Sequence, residues 1–137
     1  MVQLHPIDQA PPPGAPQFTE AEVAALQRAV IRLFALWDLS DQEASTLLGD
    51  ISPRTFQRWK QGQTGRVGPD LAARLSNLVG IHKALRLLFK EKARGYAWIR
   101  KPNAAFGARS ALDVMLGGQL TDLMRVRRYL DAQRSPW

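Results

Sequence analysis

Cysteine is absent from the 137 residues, and histidine occurs only twice, as His5 and His82. The absence of cysteine excludes disulfides, cysteine nucleophiles and thiolate metal ligands. Two isolated histidines in a chain without cysteine leave no plausible zinc site. No glycine-rich phosphate-binding motif of the P-loop or dinucleotide type is present either. We therefore expect a protein that is not an enzyme, with no catalytic residues, no bound metal and no cofactor.

Long apolar runs are also lacking. No stretch of about 18 uninterrupted apolar residues occurs, so we expect no membrane span, and no secretory signal is apparent at the N-terminus. Together with the lack of cysteine, this favours a cytoplasmic protein. Since no run shows the strict alternation of a half-buried strand, the expected fold class is all-α.

The composition contains enough hydrophobic residues, 45%, to build a core. The formal net charge is +7, which favours a polyanionic partner. The excess lies downstream, however: residues 38–68 sum to zero and residues 69–137 carry +8. The net charge by itself is therefore a weak indication of nucleic-acid binding.

Three segments are predicted along the chain. Residues 1–18 contain five prolines and are predicted to be a disordered tail. Residues 19–68 are predicted to form one small domain, beginning with a helix from Thr19 to about Trp37. Residues 69–137 are predicted to form a second helical domain. It starts with a long helix to about Lys92 that has a weak point at Gly80, and a polar, glycine-rich loop over residues 62–68 precedes it.

The most informative pattern is a pair of closely spaced helix starts. Ser40 and Glu43 form a capping box, and a second helix begins at Ser52-Pro53 and ends at Gly62. The turn between these helices contains Gly49. Two short helices joined by a tight turn, the second rich in polar and basic residues, are typical of a helix-turn-helix.

The second helix of this motif has the residues needed to read DNA. Phe56 and Trp59 are expected to face inward, which leaves a polar outer face. Arginine pairs with guanine and glutamine with adenine, whereas lysine and further arginines contact phosphates. The alternative is an ordinary solvated basic face. The predicted DNA-binding residues are Arg54, Thr55, Gln57, Arg58, Lys60, Gln61 and Arg66.

The C-terminal half carries a more specific pattern: Trp98, then Pro102-Asn103, Gly107, a helix start at Ser110 to Leu112, Gly117 and Val126. This order resembles the toxin-binding domain of Xre/MbcA/ParS-type antitoxins, and the segment from Ser52 to Trp59 is similar to the helix-turn-helix of the same family. The resemblance covers about residues 20–132. The chain departs from the pattern at Ala108, where a second glycine is frequent, and at Ala111, where proline is frequent.

The resemblance implies a function. Such antitoxins bind a RES-domain toxin, an NAD-depleting enzyme, through their C-terminal domain and block its substrate pocket. They also repress their own operon through the helix-turn-helix and commonly dimerise through the N-terminal domain. The expected partners are thus a RES-domain toxin, operator DNA and a second copy of the chain within a larger complex.

Residue chemistry suggests where such a toxin would bind, because exposed aromatic and arginine side chains are enriched at interface hot spots. A solvated helix face is the alternative for the arginines, and turn and cap roles are the alternative for Asn103 and Ser110. The candidate toxin-binding residues are Arg100, Asn103, Arg109, Arg125, Arg128, Tyr129, Arg134 and Trp137. Two other functions remain open at this point: a stand-alone helix-turn-helix regulator, and a DNA-partition protein without a toxin partner.

Overall fold

The computed structural model describes residues 18–134, and within that range the chain forms seven α-helices and a two-stranded antiparallel hairpin. The all-α prediction is confirmed. The predicted disordered tail, apart from Phe18, lies outside the described residues. Trp137, a predicted toxin contact, also lies outside them. The helices are α1 (Glu20–Leu36), α2 (Asp41–Leu47), α3 (Pro53–Lys60), α4 (Pro69–Leu88), α5 (Lys92–Trp98), α6 (Ala111–Met115) and α7 (Leu120–Arg134), and the strands are β1 (Pro102–Asn103) and β2 (Arg109–Ser110).

Reciprocal side-chain caps begin three of these helices. In each, a hydroxyl accepts the main-chain N–H of the third helical residue, and the carboxylate of that residue accepts the N–H of the cap. Each hydroxyl cap stabilises its helix by about 1 kcal/mol, because it pairs an N–H that has no partner within the helix. The pairs are Thr19 with Glu22, Ser40 with Glu43, and Ser110 with Asp113.

The turn between α2 and α3 has left-handed backbone at Gly49 (φ 79°) and Asp50 (φ 62°). The N–H of Asp50 donates to the carbonyl oxygen of Ser45 at 2.8 Å. The hydroxyl of Ser45 donates to the carbonyl oxygen of Ile51 at 2.6 Å. The first bond pairs a carbonyl group of the last turn of α2, and the second joins α2 to the residue before the cap of α3, so together they close the tight turn that a helix-turn-helix requires.

Helix α4 is the central element of the fold, since it packs against α7, α1 and α5. The buried side chains form one cluster that includes Leu33 of α1, Trp59 of α3, Leu78 of α4 and Val126 of α7. The helix continues without a break through Gly80, where the Arg127 side chain crosses it. The small size of Gly80 thus permits close contact between α4 and α7.

Two details differ from the sequence-based expectation. Helix α4 ends at Leu88 rather than Lys92, because Phe89 is extended and packs against the core. The hairpin of β1 and β2 was not predicted, since strands of two residues are too short to show alternation. A turn with Gly107 (φ 65°) and Ala108 (φ 68°) in left-handed backbone joins the strands.

None of the helices within residues 18–134 combines the length and the apolar character needed to cross a membrane.

Candidate functional site

Helix α3 exposes its predicted DNA-reading face. Phe56 is 4% exposed and Trp59 is 6% exposed, so both hold the inner side of the helix against the core. The hydroxyl of Thr55, a predicted DNA contact, accepts a hydrogen bond from Ser52 Oγ at 2.9 Å, and its side chain is half-buried. The remaining predicted residues of this helix and its end are exposed to solvent: Arg54, Gln57, Arg58, Lys60 and Gln61.

Two of these exposed side chains are bound by a carboxylate of the preceding helix. Asp41 accepts hydrogen bonds from Gln57 Nε2 at 3.1 Å and from Lys60 Nζ at 3.0 Å. In contrast, neither Arg54 nor Arg58 takes part in the ion pairs found among residues 18–134. Both arginines are therefore available to an anionic partner.

Arg66 lies apart from the α3 face. It belongs to the loop between α3 and α4, and its guanidinium is 3.5 Å from the carboxylate of Glu20 at the start of α1. Both side chains are largely exposed, so this ion pair contributes little stability. The loop and the start of α1 also line a groove of about 650 Å³.

The C-terminal half contains a cluster of three aromatic rings. Tyr129 of α7 stacks on Trp98 of α5, with ring centroids 6.0 Å apart and planes 10° apart. Phe106 meets Tyr129 edge-on at 5.2 Å, and the Arg125 guanidinium lies 5.4 Å from the centre of the Phe106 ring. Phe106 is buried, whereas Trp98 and Tyr129 are half-buried. Part of the aromatic cluster is thus accessible to a partner.

A groove of about 230 Å³ adjoins the aromatic cluster where α4, α5 and α7 meet. Tyr129 was predicted from the sequence as a partner contact, but the groove was not. The only sequence signal for the groove was the apolar stripe of α4, which also describes a core helix. The lining residues are Leu88, Phe89, Trp98, Tyr129, Leu130 and Gln133.

The other candidate toxin-binding residues are distributed over several elements. Asn103 caps the short turn after β1, because its Oδ1 accepts the N–H of Ala105 at 2.9 Å. Arg109 donates to the carbonyl oxygen of Asp113 at 2.9 Å, and Arg134 pairs with Asp131 at 3.4 Å. Arg128 is exposed on α7. The structure therefore brings Arg125 and Tyr129 together, while Asn103 and Arg109 take part in the hairpin region.

Arg100 points to the N-terminal half rather than to the aromatic cluster. Its Nη2 donates to the carbonyl oxygens of Trp37 at 3.1 Å and Asp38 at 2.8 Å. These oxygens belong to the end of α1, where a positive charge is favourable because the helix dipole leaves negative charge there. Arg100 thus joins the segment after α5 to the end of α1.

Two titratable side chains within residues 18–134, His82 and Glu22, have a pKa displaced from its ordinary value. Among residues 18–134, no group of three or more His, Asp or Glu side chains is placed to hold a metal ion. Burial, and to a lesser extent the charge of Arg86, lowers the pKa of the His82 imidazole. His82 stacks on Tyr96 with ring centroids 6.0 Å apart, and its buried Nδ1 has no hydrogen-bond partner within the described part of the chain. The hydrogen bonds of its capping box lower the pKa of Glu22.

Comparison with known proteins divides the chain into two matched regions. Residues 17–80 match the family model of the antitoxin Xre-like helix-turn-helix domain. Residues 84–135 match the model of the antitoxin Xre/MbcA/ParS C-terminal toxin-binding domain. The chain is also 43% identical over 121 residues to a Sinorhizobium fredii protein that carries the name uncharacterized protein y4oB. That alignment covers 88% of this chain and 93% of the relative.

Proposed function

The chain belongs to the Xre-type antitoxins, and from this we propose that it neutralises a RES-domain toxin and represses its own operon. The observation that supports both activities is the separation of two surfaces on one fold. The outer face of α3 carries Arg54 and Arg58, which take part in none of the ion pairs among residues 18–134. The aromatic cluster is formed by residues that follow α4 in the chain, in the C-terminal half. Each partner can therefore bind without occupying the surface of the other.

In the proposed DNA complex, α3 lies in the major groove. Arg54 and Arg58, four residues apart on the exposed face, reach guanine bases, and Gln61 extends the same surface. Thr55 is half-buried at the start of α3, and Arg66 lies apart from this face, in the loop before α4. Lys60 and Arg66, predicted from the sequence as phosphate contacts, each face a carboxylate in the free protein. They therefore contribute less to affinity than Arg54 and Arg58.

In the proposed toxin complex, the aromatic cluster and its groove form the centre of the interface. Tyr129 is a half-buried aromatic side chain beside a groove, the kind of site where interface hot spots concentrate. Arg125, Arg128 and Arg134 are exposed on the same helix, α7, and favour acidic groups on the toxin. Binding here blocks the substrate pocket of the toxin, an NAD-depleting enzyme.

We further propose that the protein acts in the cytoplasm, where both DNA and NAD are found. A homodimer formed through the N-terminal half places two copies of α3 side by side. A dimer of helix-turn-helix units binds two half-sites about 34–36 Å apart, so its operator is expected to be an inverted repeat.

The experiment that tests the proposal is co-expression with the protein encoded by the adjacent gene. Growth, cellular NAD and co-purification are measured with and without this chain. Rescue of growth, recovery of NAD and a stable complex are the expected results. If the neighbouring protein is neither toxic nor bound, the antitoxin function is overturned, and a stand-alone regulator or a DNA-partition protein becomes the better hypothesis.

A further inference from the structure

Asp41, the first residue of α2, connects the two helices of the helix-turn-helix through side chains that face the proposed DNA. One carboxylate oxygen accepts from Gln57 Nε2 at 3.1 Å, and the other accepts from Lys60 Nζ at 3.0 Å. The Lys60 ammonium also lies 5.4 Å from the centre of the Phe56 ring. Lys60 is thus held close to α2 by an ion pair, although its side chain stays exposed.

The carboxylate also determines how Gln57 presents its amide. An ionised carboxylate only accepts hydrogen bonds, so Gln57 must turn its NH2 group towards Asp41. This leaves the Oε1 oxygen and the second amide hydrogen of Gln57 for a partner. An acceptor beside a donor is the arrangement that pairs with the N6 and N7 atoms of adenine.

We infer that Asp41 is a positioning residue that gives α3 its sequence preference by orienting Gln57 and neutralising Lys60. The inference rests on the proposed binding of DNA by α3. Neutralising Lys60 lowers the affinity for every duplex, because one fewer cation is available to phosphates. Orienting Gln57 favours adenine at one position, so the two effects together raise the ratio of operator binding to binding of random DNA.

Asp41→Asn tests both effects, because it removes the charge and keeps the size of the side chain. The freed Lys60 is expected to raise affinity for random DNA several-fold and to steepen the dependence of log K on log salt concentration by about one. The Gln57 amide loses its fixed orientation, so the preference for operator over random duplex is expected to fall about tenfold.

Glu43→Gln is the matched control. It removes the same charge two residues along the same helix, it is away from Gln57 and Lys60, and a glutamine can still complete the capping box of Ser40. The control is expected to keep the wild-type preference for the operator. It is also expected to change the salt dependence of DNA affinity less than Asp41→Asn does. The double variant Asp41→Asn with Lys60→Gln is expected to return the salt dependence to its original slope, because the released cation is gone.

The measurement is fluorescence anisotropy with the full chain. Footprinting on the DNA upstream of the reading frame first locates the operator. The two probes are then a duplex that contains this operator and a shuffled duplex of equal composition. Titrations run from about 50 to 200 mM salt, a range that resolves a change of one charge in the slope. The melting temperature of each variant confirms that it is folded.

The outcomes separate the inference from the function on which it rests. If the unchanged protein binds both duplexes alike, the proposed DNA-binding function fails. If it prefers the operator and Asp41→Asn keeps both its preference and its salt slope, the inference about Asp41 is overturned alone. Equal losses of preference in Asp41→Asn and Glu43→Gln would also overturn it, because a general charge effect would then explain the result.

Discussion

The guanidinium of Arg74 in α4 donates from Nη2 to the carbonyl oxygen of Gly118, 2.9 Å away, in the turn before α7. The same group donates from Nη1 to the carbonyl oxygen of Leu47 at 3.3 Å, at the end of α2. Its Nε lies 2.7 Å from the carboxylate of Asp70. A single side chain, 8% exposed, therefore joins the helix-turn-helix to the C-terminal half.

Arg74→Met is expected to lower the free energy of unfolding by about 3 kcal/mol, because it leaves one buried and one partly buried carbonyl oxygen without this donor. Urea denaturation followed by circular dichroism measures the change. Arg86→Met makes the same substitution on the exposed face of the same helix, and is expected to change stability by about 0.5 kcal/mol or less. Similar losses of stability in both variants would show that the buried contacts of Arg74 do not stabilise the fold more than an exposed arginine does.

Arg58→Ala is expected to weaken operator binding at least about tenfold, since an arginine that pairs with a base contributes about 1–3 kcal/mol of discrimination. Toxin neutralisation is expected to persist, because Arg58 lies on α3 and not in the C-terminal half. Electrophoretic mobility shift and growth rescue measure the two activities. Arg32→Ala, which removes an exposed arginine of α1, is the control. Loss of both activities in a folded Arg58→Ala protein would contradict the separation of the two surfaces.

Tyr129→Ala is expected to weaken toxin binding by about 30-fold or more, the effect of removing an interface hot spot of about 2 kcal/mol. Arg100→Ala is the informative comparison, because Arg100 binds the end of α1. It is expected to cost about 1 kcal/mol of stability and to keep toxin affinity. Isothermal titration of each folded variant with the purified toxin distinguishes the two. If Arg100→Ala weakened toxin binding and Tyr129→Ala did not, Arg100 rather than Tyr129 would lie in the interface.

Ala108→Gly is expected to raise the free energy of unfolding by about 1 kcal/mol. Ala108 has φ 68°, and an alanine in left-handed backbone costs about 1–2 kcal/mol that glycine does not incur. The departure from the family pattern at this position is therefore a strained one. Ala105→Gly, in the preceding turn and also exposed, is expected to be destabilising instead. Thermal unfolding of the two variants should shift in opposite directions.

His82 is expected to make the protein less stable as the pH falls below about 6.5, where an unperturbed histidine gains its proton. Burial lowers the pKa of His82 in the folded chain, so the unfolded chain binds the proton first and acid favours unfolding until the folded pKa is reached. His82→Phe keeps an aromatic ring against Tyr96. It is expected to reduce the change in melting temperature between about pH 7.5 and about pH 5. His5→Ala is the control, and an equal flattening there would contradict the assignment.

The sequence by itself determined where several helices begin and which face of α3 is buried. Helix starts depend on neighbouring residues, so the capping pairs Thr19 with Glu22 and Ser40 with Glu43 were predictable from spacing alone. The inward position of Phe56 and Trp59 followed from helical periodicity in the same way. The order of motifs in the C-terminal half also indicated the family, because each motif is a short local pattern.

Only the tertiary structure decided which polar side chains contact parts of the chain that are distant in sequence. Asp41 meets Gln57 and Lys60 across 16 and 19 residues, and Arg100 meets the end of α1 across more than 60. Such contacts leave no periodic trace in a sequence, because they depend on how complete helices pack. The same reason distinguishes Lys60 from the exposed arginines Arg54 and Arg58. All three are basic residues of the same short helix, but the packing of α2 on α3 places the carboxylate of Asp41 beside Lys60.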